Sequence, residues 1–149
     1  MKRTALFLAL CVSVFSLSCR VTLIPAYDQQ MASQIATTTK LIDKLYLTML
    51  EEDNSRRHYS QYSAEYINIQ VELQDIVNKN KSKLRNQDAL AIAENVAKQW
   101  TKHRLEHKLA DTLNDAKIIL NQVYMRDEMN RLRRSEDNKK LASPSSTNS

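Results

Sequence analysis

Along most of this chain the apolar positions recur at steps of three and four, the period of one face of an α-helix. A first series runs Met31, Ile35, Thr38, Ile42, Leu45 and Met49, with Leu41 and Leu50 widening the stripe. Asp28, just ahead of it, has the short acceptor side chain that caps a helix start. The polar run Glu51-Glu52-Asp53-Asn54 ends the pattern, and Asn54 or Ser55 is expected to cap the next helix. A second series follows at Tyr59, Tyr62, Tyr66, Ile69, Leu73, Ile76 and Asn80. Its three tyrosines are expected to pack one end of the core with their hydroxyls at the rim.

Residues 78–88 carry Lys79, Lys81, Lys83 and Arg85 and read as a basic loop. It is either a solvated turn or a contact for lipid heads or another anionic surface. Asn86 can cap a third helix, with Asp88 favourably placed in its first turn. There Ala89, Ala93, Val96, Trp100 and His103 share a face, and Trp100 should anchor the core. Leu105, Leu109, Leu113, Ala116, Leu120 and Val123 continue as a stripe of similar period. Asp111 and Thr112 could cap, which favours a break near 108–112. Beyond Tyr124, Met125, Met129 and Leu132 alternate with arginines, and the helix is expected to fray past Asn138.

These patterns predict an all-α fold, an antiparallel up-and-down bundle of three or four long helices over residues 27–140. A polar tail, 141–149, is expected to be disordered. Composition agrees. The chain contains no glycine, and its prolines are Pro25 and Pro144. A sheet protein needs Gly at its tight turns, whereas nothing between Ala26 and Ser143 forces a long helix to break.

The first residues are built differently. Lys2 and Arg3 precede an uncharged stretch from Ala5 to Leu17, rich in Leu, Phe, Val and Ala, which leads through Ser16-Leu17-Ser18 to Cys19. A basic start, a short apolar run and a small-residue exit compose a secretory signal peptide. The run is shorter than the ~20 residues that span a bilayer. Phe15-Ser16-Leu17-Ser18-Cys19 resembles the lipobox of bacterial lipoproteins, although Ser16 stands where that family prefers Leu. The resemblance implies removal of residues 1–18, acylation of Cys19, a membrane anchor through that lipid, and a body in the cell envelope facing away from the cytoplasm. Plain cleavage after Ser18 also fits, since Ser16-x-Ser18 obeys the small-x-small rule. Residues 19–26 would form a short tether.

Charge and cysteine usage change the picture little. The formal charge is +5, and loss of Lys2 and Arg3 lowers it to +3, which permits contact with polyanions without demanding it. Cys11 leaves with the signal, so an acylated Cys19 leaves no thiol for a disulfide.

Candidate chemistry is sparse. His103 and His107 stand four apart in His103-Arg104-Leu105-Glu106-His107, a spacing that can place two imidazoles on one metal. The general-base Glu of the zinc-helix motif is out of place, no third ligand is evident, and the pair is expected to be surface or boundary histidines. Phosphate-cradling loops and nucleophile elbows need glycine. No cofactor and no nucleic-acid partner is expected. Tyr59, Tyr62, Tyr66 and Trp100 could form a small-ligand platform. The leading expectation is a non-enzymatic lipoprotein whose helical body contacts another envelope protein.

Overall fold

The computed structural model describes residues 25–142, so the expected signal segment 1–18, Cys19 and residues 143–149 lie outside the described residues. Four long helices account for nearly all of what is described: α1 (Gln29–Leu50), α2 (Tyr59–Ser82), α3 (Gln87–Ala110) and α4 (Asp115–Ala142). At 1.5 Å per residue they run from about 33 to about 42 Å. α1 and α3 each pack against both α2 and α4, closing a ring. The short links reverse the chain each time, giving an antiparallel up-and-down bundle. One end, the near end, gathers Asp28, the α2–α3 turn and the last turns of α4. The far end gathers the α1–α2 and α3–α4 links.

Local chemistry explains the helix boundaries. Asp28 caps α1 as expected, its carboxylate accepting the Gln30 and Met31 backbone N–H groups at 2.9 and 3.0 Å. The Asn114 side chain does the same for α4, accepting Lys117 N–H at 2.9 Å. This turn breaks the long third pattern and settles the helix count at four. α2 begins at Tyr59, later than expected, because Asn54–Arg56 form a 3₁₀ turn instead of a cap. Its first N–H is satisfied from another helix, donating to the carbonyl of Asp111 at 2.8 Å. Asp111 ends α3 with φ 60°, a left-handed position that glycine normally fills and this chain must fill otherwise. Arg85, with φ 57°, does so in the α2–α3 turn.

Two expected lengths are corrected. The basic loop shrinks to residues 83–86, because α2 continues to Ser82 and places Lys79 and Lys81 on helix. α4 continues to Ala142, taking Leu141 out of the expected tail.

The inner faces of α1, α2 and the first part of α3 are those the periodicity predicts. Tyr46, outside the predicted stripe, is fully buried. The predicted stripe through α3 and α4 is wrong apart from Leu113, which is buried. Leu105, Leu109, Ala116, Leu120 and Val123 face solvent, while α4 turns inward Ile118, Asn121, Gln122, Met125, Glu128, Met129, Leu132 and Glu136. Burying polar groups is tolerable when they find partners, and most do. Asn95 donates to Glu128 at 2.9 Å. Gln122 and Arg126 both donate to Asp43 of α1, at 3.3 and 2.8 Å.

Each end is fastened by a charged group. At the far end Arg57, almost wholly buried, donates to the carbonyls of Glu52 and Leu113 and to the carboxylate of Asp115. At the near end the buried Glu136 carboxylate accepts the Asp28 backbone N–H at 2.8 Å and pairs with Lys139 at 2.6 Å.

Candidate functional site

The residues singled out from the sequence converge, for the most part, on the far half of the bundle core. α3 carries Trp100, His103 and His107 on its inner face, and α2 carries Tyr59, Tyr62 and Tyr66 on the surface opposite. Trp100 and Tyr66 are fully buried, with ring centroids 5.1 Å apart. The Trp100 indole N–H donates to the Tyr66 carbonyl at 3.0 Å. Tyr46 of α1 meets Trp100 edge-on at 6.0 Å. Tyr59 stacks on Tyr66 at 5.9 Å, and His107 lies within 6.0 Å of all three α2 tyrosine rings. The Tyr66 hydroxyl is in the interior and not at the rim as expected.

The two histidines are also interior, which corrects the expected surface or boundary placement. His107 spans two partners. Its Nε2 lies 2.9 Å from the Arg57 carbonyl, which can only accept, so Nε2 carries the hydrogen. Nδ1 is then the acceptor for the Tyr66 hydroxyl at 3.2 Å. Both nitrogens are spent on the protein, leaving no lone pair for a metal. His103 Nδ1 pairs with the Tyr46 hydroxyl at 3.1 Å, and the ring meets Tyr124 at 6.0 Å. The Glu106 carboxylate, one turn from His103, is held by Lys117 at 2.8 Å. Among the described residues no three His, Cys, Asp or Glu side chains gather as a metal would require.

Burial sets the protonation of these groups. It lowers His103 to about 4 and lowers His107 as well, because a charged imidazole there would lose its hydration. The same cause pushes the Tyr46 and Tyr66 hydroxyls up. The arrangement is therefore a neutral, hydrogen-bonded core at neutral pH. Surface carboxylates move the other way: the Lys83 ammonium lowers Asp28, and the His58 ring lowers Asp111.

Tyr62 lines a surface depression. A groove of about 330 Å³ between α1 and α2 is lined by Leu41, Lys44, Leu45, Tyr62, Glu65 and Ile69. No single stretch of sequence signals that groove, since its walls come from two different helices.

The outer surface of α4 carries what the core does not use. Ala116, Ile119, Leu120 and Val123 recur at helical spacing on the solvent side, with Leu120 62% and Val123 59% exposed. No described helix is long and apolar enough to cross a membrane. Comparison of the chain with protein-family models, with curated proteins and with solved structures found no match.

Proposed function

We propose that this chain is an exported bacterial lipoprotein, anchored through acylated Cys19, whose helical body makes contacts outside the cytoplasm and performs no chemistry of its own. The observation that carries the reading is the front of the sequence: Lys2-Arg3, an uncharged apolar run, then Ser16-Leu17-Ser18-Cys19. Several acyl chains on one residue give firm attachment where a single chain gives only a marginal one.

Two features of the body support a contact role. The imidazoles that could have served catalysis are committed to core hydrogen bonds. The apolar outer side of α4 offers a face for a helical envelope partner.

Mass spectrometry of the mature N-terminus tests the anchor. The wild type should begin at an acylated Cys19, and Cys19→Ala should stay uncut. A wild type that begins at an unmodified Cys19, or is freely soluble, sinks the reading. The contact role is tested by site-specific cross-linking in intact envelopes from α4. Adducts expected from a probe at position 119 should vanish with Leu120→Glu and Val123→Glu while far-UV circular dichroism stays unchanged. Adducts that survive both changes refute a role for that face.

The alternative, a small-ligand protein built on the aromatic cluster, has the Tyr62 groove in its favour and nothing at Tyr66 or Trp100, whose rings are closed in. Tyr62→Ala should weaken any ligand found there by ten-fold or more. Unchanged affinity excludes it.

A further inference from the structure

We infer that the near end of the bundle is a docking surface for anionic phospholipid headgroups, with Leu84 set among them. The inference rests on the anchored reading and names what the body does at its anchor.

Three observations at that end converge. The first is reach. Pro25 lies six residue steps beyond Cys19, and at ~3.5 Å each these extend at most about 21 Å. Pro25 enters at the near end, so the tether keeps that end beside the bilayer, whereas the far end lies a helix length, ~33 Å or more, from Pro25 and is not so held.

The second is charge. The near-end turn and its flanks carry Lys79, Lys81, Lys83 and Arg85, and the end of α4 adds Lys140. With Lys139 counted, the acids Asp28, Asp75, Asp88, Glu136 and Asp137 reduce this to a small positive balance, Lys83, Lys79 and Lys140 pairing with Asp28, Asp75 and Asp137. The far end has the opposite balance, with Glu51, Glu52, Asp53, Asp111 and Asp115 against Arg56, Arg57 and Lys108. An anionic leaflet therefore attracts the near end and repels the far one.

The third is apolar exposure. Leu84, at the tip of the turn, is 87% exposed, and Leu141 in the last turn of α4 is 86% exposed. Beside Leu84 lies an open depression of about 760 Å³ lined by Tyr27, Asp28, Gln30, Lys83 and Arg85. A leucine flanked by cations over a wide, largely apolar hollow suits the headgroup region, where the ammonium and guanidinium groups meet phosphates and the leucine reaches the acyl boundary.

The predicted absence of any free thiol in the acylated chain makes the test direct. Leu84→Cys introduces a single labelling site for a nitroxide, and Leu109→Cys, at an 86% exposed residue near the far end, is its control. The processed, acylated protein is reconstituted into phosphatidylglycerol/phosphatidylethanolamine vesicles and into phosphatidylcholine vesicles. Flotation reads the anchor, and collision with oxygen against a water-soluble nickel chelate reads label depth.

Docking predicts that label 84 moves into lipid in the anionic vesicles and label 109 stays in water. Lys81→Glu with Arg85→Glu should cut the lipid-contacting population roughly ten-fold or more, as should phosphatidylcholine. Acylated protein that floats with label 84 fully in water overturns the docking inference and leaves the anchor standing. Processed protein that fails to float removes the anchored reading and this inference with it. Lipid contact that is indifferent to both charge changes overturns the headgroup chemistry.

Discussion

Acidification from pH 7 to pH 4.5 should destabilise this bundle chiefly through its buried imidazoles, with carboxylates entering only at the low end of the range. His103 sits neutral in the core, pushed by burial from 6.5 down to about 4. The unfolded chain takes up that proton below about 6.5, the folded chain only below about 4. Between those values the unfolded state holds more protons, so each step down in pH favours unfolding. The contribution is whole above pH 6.5 and lost as pH falls towards 4. At about 1.4 kcal/mol per pKa unit it amounts to about 3 kcal/mol, a large share of the 5–15 kcal/mol typical of a domain. His107 is shifted in the same direction and adds a slope of its own.

The carboxylates overlap only the lower end of this window. Asp28, Asp75, Glu106 and Asp111 are all lowered from 3.8 or 4.5, so what they add is present above those values and lost below them. Urea titrations followed by circular dichroism and by Trp100 fluorescence, at intervals from pH 7.5 to 4.5, give the slope directly. His103→Gln should lower stability at pH 7, through the lost fit with Tyr46, and flatten the curve by up to about 1.4 kcal/mol per pH unit. Parallel pH curves for the wild type and His103→Gln would show that the imidazole is not held neutral by the fold, and the reasoning fails.

Trp100→Ala, which empties the centre of the core and removes the indole N–H bond to the Tyr66 carbonyl, should cost about 4 kcal/mol in the same urea assay. Glu136→Ala removes the carboxylate that neutralises buried Lys139 and accepts the Asp28 N–H, and should cost about 3 kcal/mol or more. Added Lys139→Met should recover part of it, and a double variant no better than the single one would argue against the buried pair. Arg85→Gly relieves a left-handed backbone position and should raise stability by up to about 1 kcal/mol, read as a higher urea midpoint with an unchanged slope.

The parts of the fold legible in the sequence are those set by local physics. Asp28 caps α1 because an Asx side chain at that position can reach two free N–H groups wherever the helix later packs. The stripes of α1 and α2 are readable because each has one apolar side, and that side has nowhere else to go. The break after α3 is legible at Asp111, but the start of α2 is not, since Tyr59 N–H is satisfied by Asp111, a residue remote in sequence. The histidines were misplaced for a similar reason. Imidazole is ambivalent towards burial, and what decides is a partner: Tyr46 for His103, Tyr66 and the Arg57 carbonyl for His107. All three lie more than ten helical turns away along the chain or on another helix, where no window of sequence reaches them.

α4 failed for a different reason, and that failure bears on function. Its first half has two apolar sides, Ile118 with Met125 on one and Ala116, Ile119, Leu120 and Val123 on the other. Its second half has one, formed by Met129 and Leu132. A straight helix can present only one side to the core along its whole length, so the second half decides for both. The pins at its ends hold the choice: Asp115 to Arg57 at the far end, and Glu136 to the Asp28 N–H at the near end. Rotating α4 to bury Leu120 and Val123 would expose Met129 and Leu132 and carry Asp115 and Glu136 away from Arg57 and the Asp28 N–H, leaving Arg57 buried. The outer apolar row is therefore left in water by a constraint the bundle cannot relax. Covering it from outside removes apolar surface from water at about 25 cal/mol per Å² without disturbing either pin, which is why a partner, and not a repacking of the bundle, is the natural way to bury it.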